Sequence, residues 1–587
     1  SVIHANASKD LIKAGSHLYA AGNNQITCVE YHRGGESRII WKKECSNIER
    51  LVAADNKLFA VTLDGRLIAF GETESIKKQY SEKAEIICAQ NNKEKAALIL
   101  HETGISEGYA IVFHPDDGEI VASLAEQSDL HIISVAENAE QLLSLRNKFD
   151  NSGLLGRRLT FLQGSPDSFQ SPPYMASLIL INDAQKEDYS AVENLYNGLR
   201  PLGGTIWFDL AKRRHKKVMR TLSDEQRQNT IFSKKGLGIC RSGPLKGASN
   251  WTHQYGGISN TVKSDDQLVK LPLGLLWFGG SSNMDVLPRH GHGPPEQIVD
   301  GRLIIEGMYG LSARDVYTGR VLWTTLLDSL NNFGQYFNES YKDTPLVPTY
   351  NQEHMPGANS RGTNYVATHE GIYIIDDNKC RVLNNLTGET LTTIVLPKST
   401  SQNNPEWGYI GVYDQLLIAG SDFVRFSKQT PLYVAEDMEK LSDGKKRRLR
   451  DYNNFDNTAS QTLVVMDRIS GKVKWHYKSR YGFIHNGITA GNGAIYCLDK
   501  YPPAVENKRQ RRGEELPSDY RIIALDSETG ALLWERNSDI FGSWLSISEQ
   551  HNYLIQATRP SRDMVVDEVG KRMIILNSKT GEIVWDK

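Results

Sequence analysis

Along most of the chain an apolar run leads into a tight turn and then into a second apolar run that ends in tryptophan. Near the C-terminus Arg521-Ile522-Ile523-Ala524-Leu525-Asp526 leads to Glu528-Thr529-Gly530 and then to Leu532-Leu533-Trp534. The next copy is Met573-Ile574-Ile575-Leu576-Asn577, Lys579-Thr580-Gly581 and Ile583-Val584-Trp585. Earlier copies end in Trp475 after Ser470-Gly471 and in Trp323 after Thr318-Gly319. The copy at Arg381 to Glu389 keeps Thr387-Gly388 and has lost its tryptophan, and Ile26 to Trp41 has the same shape with Gly34-Gly35 at the turn. Each unit reads as a strand, a turn and a second strand. The Asp or Asn can bond the turn backbone, and the Gly can take positive φ.

Such a hairpin is not stable alone. Stacked radially, each tryptophan can wedge against the neighbouring blade and bury about 150–250 Å². The last three tryptophans lie roughly 50–60 residues apart, about one four-stranded blade with a loop. The expected fold is therefore mainly β: an eight-bladed β-propeller, alternatively seven-bladed, with an inserted α/β Rossmann-like domain. The eight candidate outer strands lie near Trp41, Phe70 onward, Trp277, Trp323, Thr387 onward, Trp475, Trp534 and Trp585. An open sandwich of ordinary hairpins is the alternative. The expected division is 1–83 for blades 1 and 2, 84–238 for the insertion and 239–587 for blades 3 to 8.

The Asp-x-x-Thr-Gly-x-x-x-Trp pattern resembles the repeat of quinoprotein-type propellers, a group that includes pyrroloquinoline quinone (PQQ) dehydrogenases and non-enzymatic assembly lipoproteins. Asn250-Trp251-Thr252-His253-Gln254-Tyr255-Gly256 with Asn260-Thr261 resembles the opening of such propellers. The PQQ enzymes of this group carry adjacent cysteines above the quinone and a calcium ligand set. This chain has no adjacent cysteines and no C-x-x-C-H haem attachment, so the resemblance points to fold more than to activity.

Between about Ile86 and Lys235 the repeat vanishes and strand alternates with helix. Strands are predicted at Gly108–Phe113, Leu130–Val135, Leu159–Leu162 and Ser177–Ile181, and helices at Glu119–Gln127, Leu142–Phe149 and Ala191–Leu199. The helix that meets Leu199-Arg200-Pro201-Leu202-Gly203-Gly204, and the order of elements before it, resemble class I S-adenosylmethionine (SAM) methyltransferases. That resemblance implies a glycine-rich loop after the first strand, where backbone approaches the cofactor. The loop here is His114-Pro115-Asp116-Asp117-Gly118, in which a single glycine survives and Pro115 removes a donor. The resemblance also implies an acid after the second strand, here Glu137, and one after the third, here Asp167. With Gly118 these make a partial set. The expectation is a degenerate, non-catalytic domain, and a functional SAM site is the alternative.

Composition adds bounds. The 587 residues call for more than one ordinary core, or for a repeat that lets one domain grow. A formal net charge of −2 gives no support to nucleic-acid binding, and no run of about 18 apolar residues spans a membrane. Cys28, Cys45, Cys88, Cys240, Cys380 and Cys497 are scattered, which reads as buried free thiols, with disulfides as the alternative in an exported protein. The chain opens on Ser1, from which export with processing is expected.

Three polar clusters remain. His290 and His292 sit in Pro288-Arg289-His290-Gly291-His292-Gly293 and would share one strand face, a spacing that suits a metal, with His253 as a third ligand. A structural loop is the alternative there. Lys445, Lys446, Arg447, Arg448 and Arg450 form one basic loop, and Arg509, Arg511 and Arg512 another, read as solvated loops or as docking points for an acidic partner. No Gly-x-Ser-x-Gly elbow, H-E-x-x-H or P-loop occurs.

The expected function is a non-catalytic scaffold or assembly protein, periplasmic or in an equivalent compartment, that binds other proteins through propeller faces and loops. Self-association is a further expectation, and no cofactor is expected. The domain combination resembles planctomycete-type proteins. In anammox members of that group the resemblance implies a propeller protein of the anammoxosome lumen that helps a redox enzyme complex, nitrite oxidoreductase, assemble into tubules. The alternatives are a SAM-dependent methyltransferase on a propeller, a quinoprotein-like, hydrolytic or carbohydrate-active enzyme using the central channel, and a carbohydrate-binding propeller.

Overall fold

The computed structural model describes residues 5–32, 35–71, 88–150, 152–184, 189–279, 295–307, 310–327, 362–398, 405–424, 458–558 and 572–587. They fall into two compact units, Ser1–Ala84 and Glu85–Lys587.

In the first unit β1 to β4 (Asp10–Ala14, His17–Gly22, Gln25–Glu30 and Arg38–Glu44) form a four-stranded antiparallel sheet. Strands β5 to β7 (Ile48–Ala54, Lys57–Thr62 and Leu67–Phe70) form a three-stranded one. The hairpins β2–β3 and β5–β6 turn on Asn23-Asn24 and Asp55-Asn56, all four with positive φ. Two-residue turns of that kind match the strand twist, and Asn and Asp tolerate the conformation. Ala21, Ile26, Ile48, Leu51, Leu58 and Ala60 make the core, with Trp41 and Phe70 packed against it.

The second unit begins with α1 (Gln90–Thr103) and a seven-stranded sheet. Its strands are β8 (Glu107–Phe113), β9 (Asp129–Ala136), β10 (Leu159–Gln163), β11 (Ala176–Ile181), β12 (Gly204–Asp209), β13 (Thr230–Phe232) and β14 (Gly236–Arg241). The order across the sheet is β10-β9-β8-β11-β12-β14-β13, with β14 antiparallel to both neighbours and the other pairings parallel. Helices α2 (Glu119–Gln127), α3 (Ala139–Phe149), α4 (Val192–Gly198), α5 (His215–Thr221) and α6 (Asp224–Gln228) connect them.

Strand alternation sends Ala110 and Val112 to one face, under Val121, Leu124, Leu145 and Phe149. Ile111 and Phe113 go to the other, under Val192, Leu195 and Val218. The strands and helices expected from sequence are present. α1, α5, α6 and the β13–β14 hairpin were not expected, and β14 runs to Arg241, past the expected boundary at 238.

The rest of this unit holds five four-stranded antiparallel blades. The first is β15 to β18 (Gln297–Val299, Arg302–Glu306, Gly310–Asp315, Val321–Leu326) and the second β19 to β22 (Tyr365–Ala367, Ile372–Asp376, Lys379–Leu383, Thr390–Val395). The third is β23 to β26 (Trp407–Tyr413, Leu416–Phe423, Ala459–Asp467, Val473–Gly491). The long β26 is both the outer strand of that blade and the inner strand of the next, which adds β27 (Ala494–Asp499), β28 (Arg521–Asp526) and β29 (Leu532–Arg536). An α7 helix (Pro503–Arg511) lies between β27 and β28. The fifth blade is β30 to β33 (Trp544–Ser548, Tyr553–Ala557, Met573–Asn577, Ile583–Asp586).

Innermost strands of successive blades touch, and the apolar clusters lie between blades rather than within them. Alternation therefore buries both faces of each blade, as stacked hairpins require.

Three of the repeat tryptophans dock on the following blade. Trp323 Nε1 donates to the Asn385 carbonyl (3.0 Å), Trp475 to Ser527 (2.9 Å) and Trp534 to Ser578 (2.9 Å). Their indoles lie against Gly388, Gly530 and Gly581, so close that a Cβ on any of these would fall 2.5–2.7 Å from the ring. Where the repeat has lost its tryptophan, Ile394 takes the place against Gly471.

One expectation fails. Residues 242–279 carry no strand, so the candidate blade at Trp277 is not formed there. Trp277 nevertheless docks like the others, on Gly319, and donates to the Val316 carbonyl (2.9 Å). The motif records the docking of an indole. It does not require that three other strands stand beside it.

Candidate functional site

Two places bring polar residues together. The first is the carboxyl edge of the α/β sheet, where the strand order reverses between β8 and β11, the usual ligand crevice of such sheets. The loop 114–118 leaves β8 here with His114, Asp116 and Gly118 all at positive φ. A non-glycine residue in that conformation is uncommon, so the loop keeps a glycine-like backbone with side chains attached.

Those side chains close on the protein itself. Asn182, at the end of β11, donates Nδ2 to the His114 carbonyl (2.8 Å) and to Asp116 Oδ2 (2.9 Å). Lys95 Nζ donates to Asn182 Oδ1 (2.7 Å) and pairs with Asp209 at the end of β12. Asp117 Oδ1 accepts the Glu119 N–H (3.1 Å) and so satisfies the first turn of α2. From α3, Gln141 donates to the Asp116 carbonyl (2.9 Å) and Lys148 to that of Asp117 (2.8 Å).

The three residues expected to hold SAM do lie on this edge. Gly118 opens α2, and a Cβ there would meet Phe149 at 2.8 Å and Leu145 at 2.9 Å, so helix packing alone demands the glycine. Glu137 follows β9, its carboxylate 3.8 Å from His114 Nδ1. Asp167 follows β10 and accepts a hydrogen bond from Ser190 (3.1 Å). The methionine end of SAM carries a carboxylate. At the loop it would meet Asp116 and Asp117, and Asp117 already takes the first N–H of the helix N-terminus that would attract it. The donor set does not fit that group. Sequence reasoning missed Lys95, Asn182 and Asp209, which meet only through the sheet.

The second place is the segment 250–262, which crosses the inner strands of all five blades. Trp251 and Ile298 exchange backbone bonds (2.8 Å each), and the Thr252 carbonyl accepts from Ala367 (3.2 Å). His253 Nε2 accepts the Val412 N–H (3.1 Å) and its Nδ1 faces Thr252 Oγ1 (2.8 Å). The Ile258 carbonyl accepts from Thr489 (2.9 Å) and the Ser259 carbonyl from Ile547 (2.9 Å). Asn260 Nδ2 joins the fourth and fifth blades through the carbonyls of Ile488 (2.9 Å) and Leu545 (3.2 Å).

Burial holds the His253 imidazole down at about 3, so it is neutral. Its expected role as a third metal ligand is overturned, because both ring nitrogens are engaged inside the fold. Beside this segment a small polar recess is lined by Gln254, Tyr255, Thr363, Tyr409, His485 and Asn486 among others. Ser460 Oγ lies 2.8 Å from His485 Nε2. The described lining holds no carboxylate, lysine, arginine or cysteine.

His290 and His292 lie outside the described residues, as do Lys445, Lys446, Arg447, Arg448 and Arg450. Among the described residues no group of three or more His, Cys, Asp or Glu could hold a metal. The stretch with Arg509, Arg511 and Arg512, expected as a loop, is the end of α7, started by Pro502-Pro503. Arg509 stacks over Tyr501 (4.7 Å) and pairs with Glu514 (3.6 Å), while Arg511 and Arg512 are exposed.

Residues 451–587 match the PQQ_2 family model, described as "Outer membrane protein assembly factor BamB". The repeats that end in Trp475, Trp534 and Trp585 lie inside that match, the first two with their indoles docked. No curated protein matches the chain. Among solved structures, BamB from Moraxella catarrhalis is 13% identical over 50% of this chain and 62% of its own, with a TM-score of 0.27. A candidate S-adenosyl-L-methionine-dependent methyltransferase from Methanococcus maripaludis is 17% identical over 26% of this chain and 86% of its own, with a TM-score of 0.22. A SAM-dependent methyltransferase from Geobacter sulfurreducens, in complex with S-adenosyl-L-homocysteine, is 18% identical over 20% and 47%, with a TM-score of 0.18. The chain thus spans less than two thirds of the BamB structure. At these scores the neighbours carry no argument about activity.

Proposed function

We propose that this protein is a non-catalytic scaffold that binds other proteins through its blade surfaces and loops, and that it works in an exported compartment. The observation that supports this best is the carboxyl edge of the α/β sheet, where Asn182 joins Asp116 and Lys95 and where Asp117 accepts from the first turn of α2. The match of residues 451–587 to an assembly-factor family supports it too. A rigid stack of blades with many loops suits partner binding. The blade count we propose is seven rather than eight, since the six antiparallel sheets described make seven blade-like groups when the seven-stranded one is read as two, and 242–279 carries no strand. A redox enzyme complex, nitrite oxidoreductase in the anammox case, is the partner that the family resemblance implies, and no matched family or structure above names it.

The test is calorimetric titration of the full chain with SAM and with S-adenosylhomocysteine up to millimolar concentration. Absence of binding heat at two temperatures is the expected result. Saturable binding weakened by Glu137→Ala would overturn the reading in favour of a working methyltransferase domain.

A further inference from the structure

Between residues 211 and 235 the chain carries nine Lys and Arg against two acids, although its formal net charge is −2. The structure gathers them. A 3-10 turn at Lys212–Arg214 runs straight into α5, whose inward face is His215, Val218 and, just beyond it, Leu222, all buried. That pins the opposite side outward, and Lys212, Arg213, Lys216, Lys217 and Arg220 are exposed. The β13–β14 hairpin adds Lys234 and Lys235 at its tip, also exposed. It is set beside α5 because the Phe232 ring packs 5.9 Å from that of His215. At the same tip Gly236 lies so close to Trp207 that a Cβ would fall 2.5 Å from the indole, so the tip is held firmly.

Lys212, Arg213, Lys216, Arg220, Lys234 and Lys235 make no ion pair among the described residues. The acids of this stretch are Asp224 and Glu225, and Asp224 is occupied by Arg227 (3.0 Å). Amid these cations stands Phe232, 60% exposed.

We propose that this face, α5 with the β13–β14 tip, docks the protein peripherally on an anionic lipid surface. Seven exposed cations on a short rigid face exceed what solvation of a helix needs, and each adds attraction to a negatively charged leaflet. The exposed phenyl ring then enters the interfacial layer, where an aromatic ring gains apolar contact. A nucleic-acid duplex offers phosphates but no place for that ring. A single strand is bound by successive aromatics, of which this face has one. The proposal is independent of whether the crevice binds SAM.

The test is co-sedimentation of the full chain with vesicles of phosphatidylcholine alone and of phosphatidylcholine mixed with phosphatidylglycerol, over a range of salt. The mixed vesicles are expected to bind, and less so as salt rises. The combined variant Lys212→Glu, Arg213→Glu, Lys216→Glu and Arg220→Glu should lower the partition coefficient on the order of a hundredfold. Phe232→Ala should lower it about three- to tenfold. Equal binding to both kinds of vesicle, or undiminished binding by the combined variant, would overturn the proposal. So would tight binding of a single-stranded oligonucleotide without vesicle binding. Should the combined variant fail to fold, Phe232→Ala and the salt series decide: salt-independent binding, or binding unchanged by Phe232→Ala, also overturns it.

Discussion

The indole of Trp475 reaches the next blade because Gly530 has no Cβ and sits at φ +71°, a conformation that glycine adopts freely. Gly530→Ala therefore combines backbone strain with a collision against a packed ring, and should cost about 2 kcal/mol or more. Trp475→Ala leaves a cavity at a buried site and should cost about 3–5 kcal/mol. Urea unfolding of both variants checks the pair.

His253 makes a separate case. Its folded pKa lies near 3, below the ordinary value of 6.5, so the unfolded chain takes up its proton first as pH falls. Stability that is intact above pH 6.5 is lost progressively down to about pH 3. Between about pH 6.5 and pH 5 the loss should be about 2 kcal/mol from this residue. His253→Gln should flatten that slope while costing stability at neutral pH, as denaturant curves at a series of pH values would show.

At the scale of elements, the α/β domain is held to the first blade of its unit by two ion pairs of unlike worth. Arg200 Nε donates to Asp315 Oδ2 at 2.6 Å, and the Asp315 side chain is 3% exposed. Arg320 reaches Glu107 at 3.0 Å and 3.1 Å, but the Glu107 side chain is 54% exposed. Removing a partner from the buried pair strands a charge, so Arg200→Ala should cost about 3–5 kcal/mol. Arg320→Ala should cost about 1 kcal/mol or less, because solvent already screens its partner. Hydrogen exchange in β17 and β12 should accelerate in the first variant and stay unchanged in the second. The hydrophobic alternation of β8, β9 and β11 is readable in sequence, because burial on both faces needs continuous apolar runs. The Arg200–Asp315 contact is not, since its partners stand 115 residues apart.

For the molecule as a whole, all six cysteines are free and five are buried. Burial pushes the thiols of Cys380 and Cys497 far above their ordinary pKa, which suppresses the reactive thiolate. Thiol titration should therefore count six groups in denaturant and at most Cys240 reacting quickly in the native protein. Reducing agent should leave the melting temperature unchanged. A shift on reduction would mean that two of these residues pair.

The blade repeat, the α/β segment and the single glycine of its loop 114–118 follow from local sequence, because strand period, turn chemistry and an indole's need for a glycine are short-range requirements. What closes the crevice does not. Lys95, Asn182 and Asp209 come from three separate elements and meet only where parallel strands end side by side. The same is true of His253, whose neutral, structural state depends on a segment laid across five blades. It is true as well of the basic face, where a helix and a hairpin, each unremarkable alone, are brought onto one surface by the packing of His215 against Phe232.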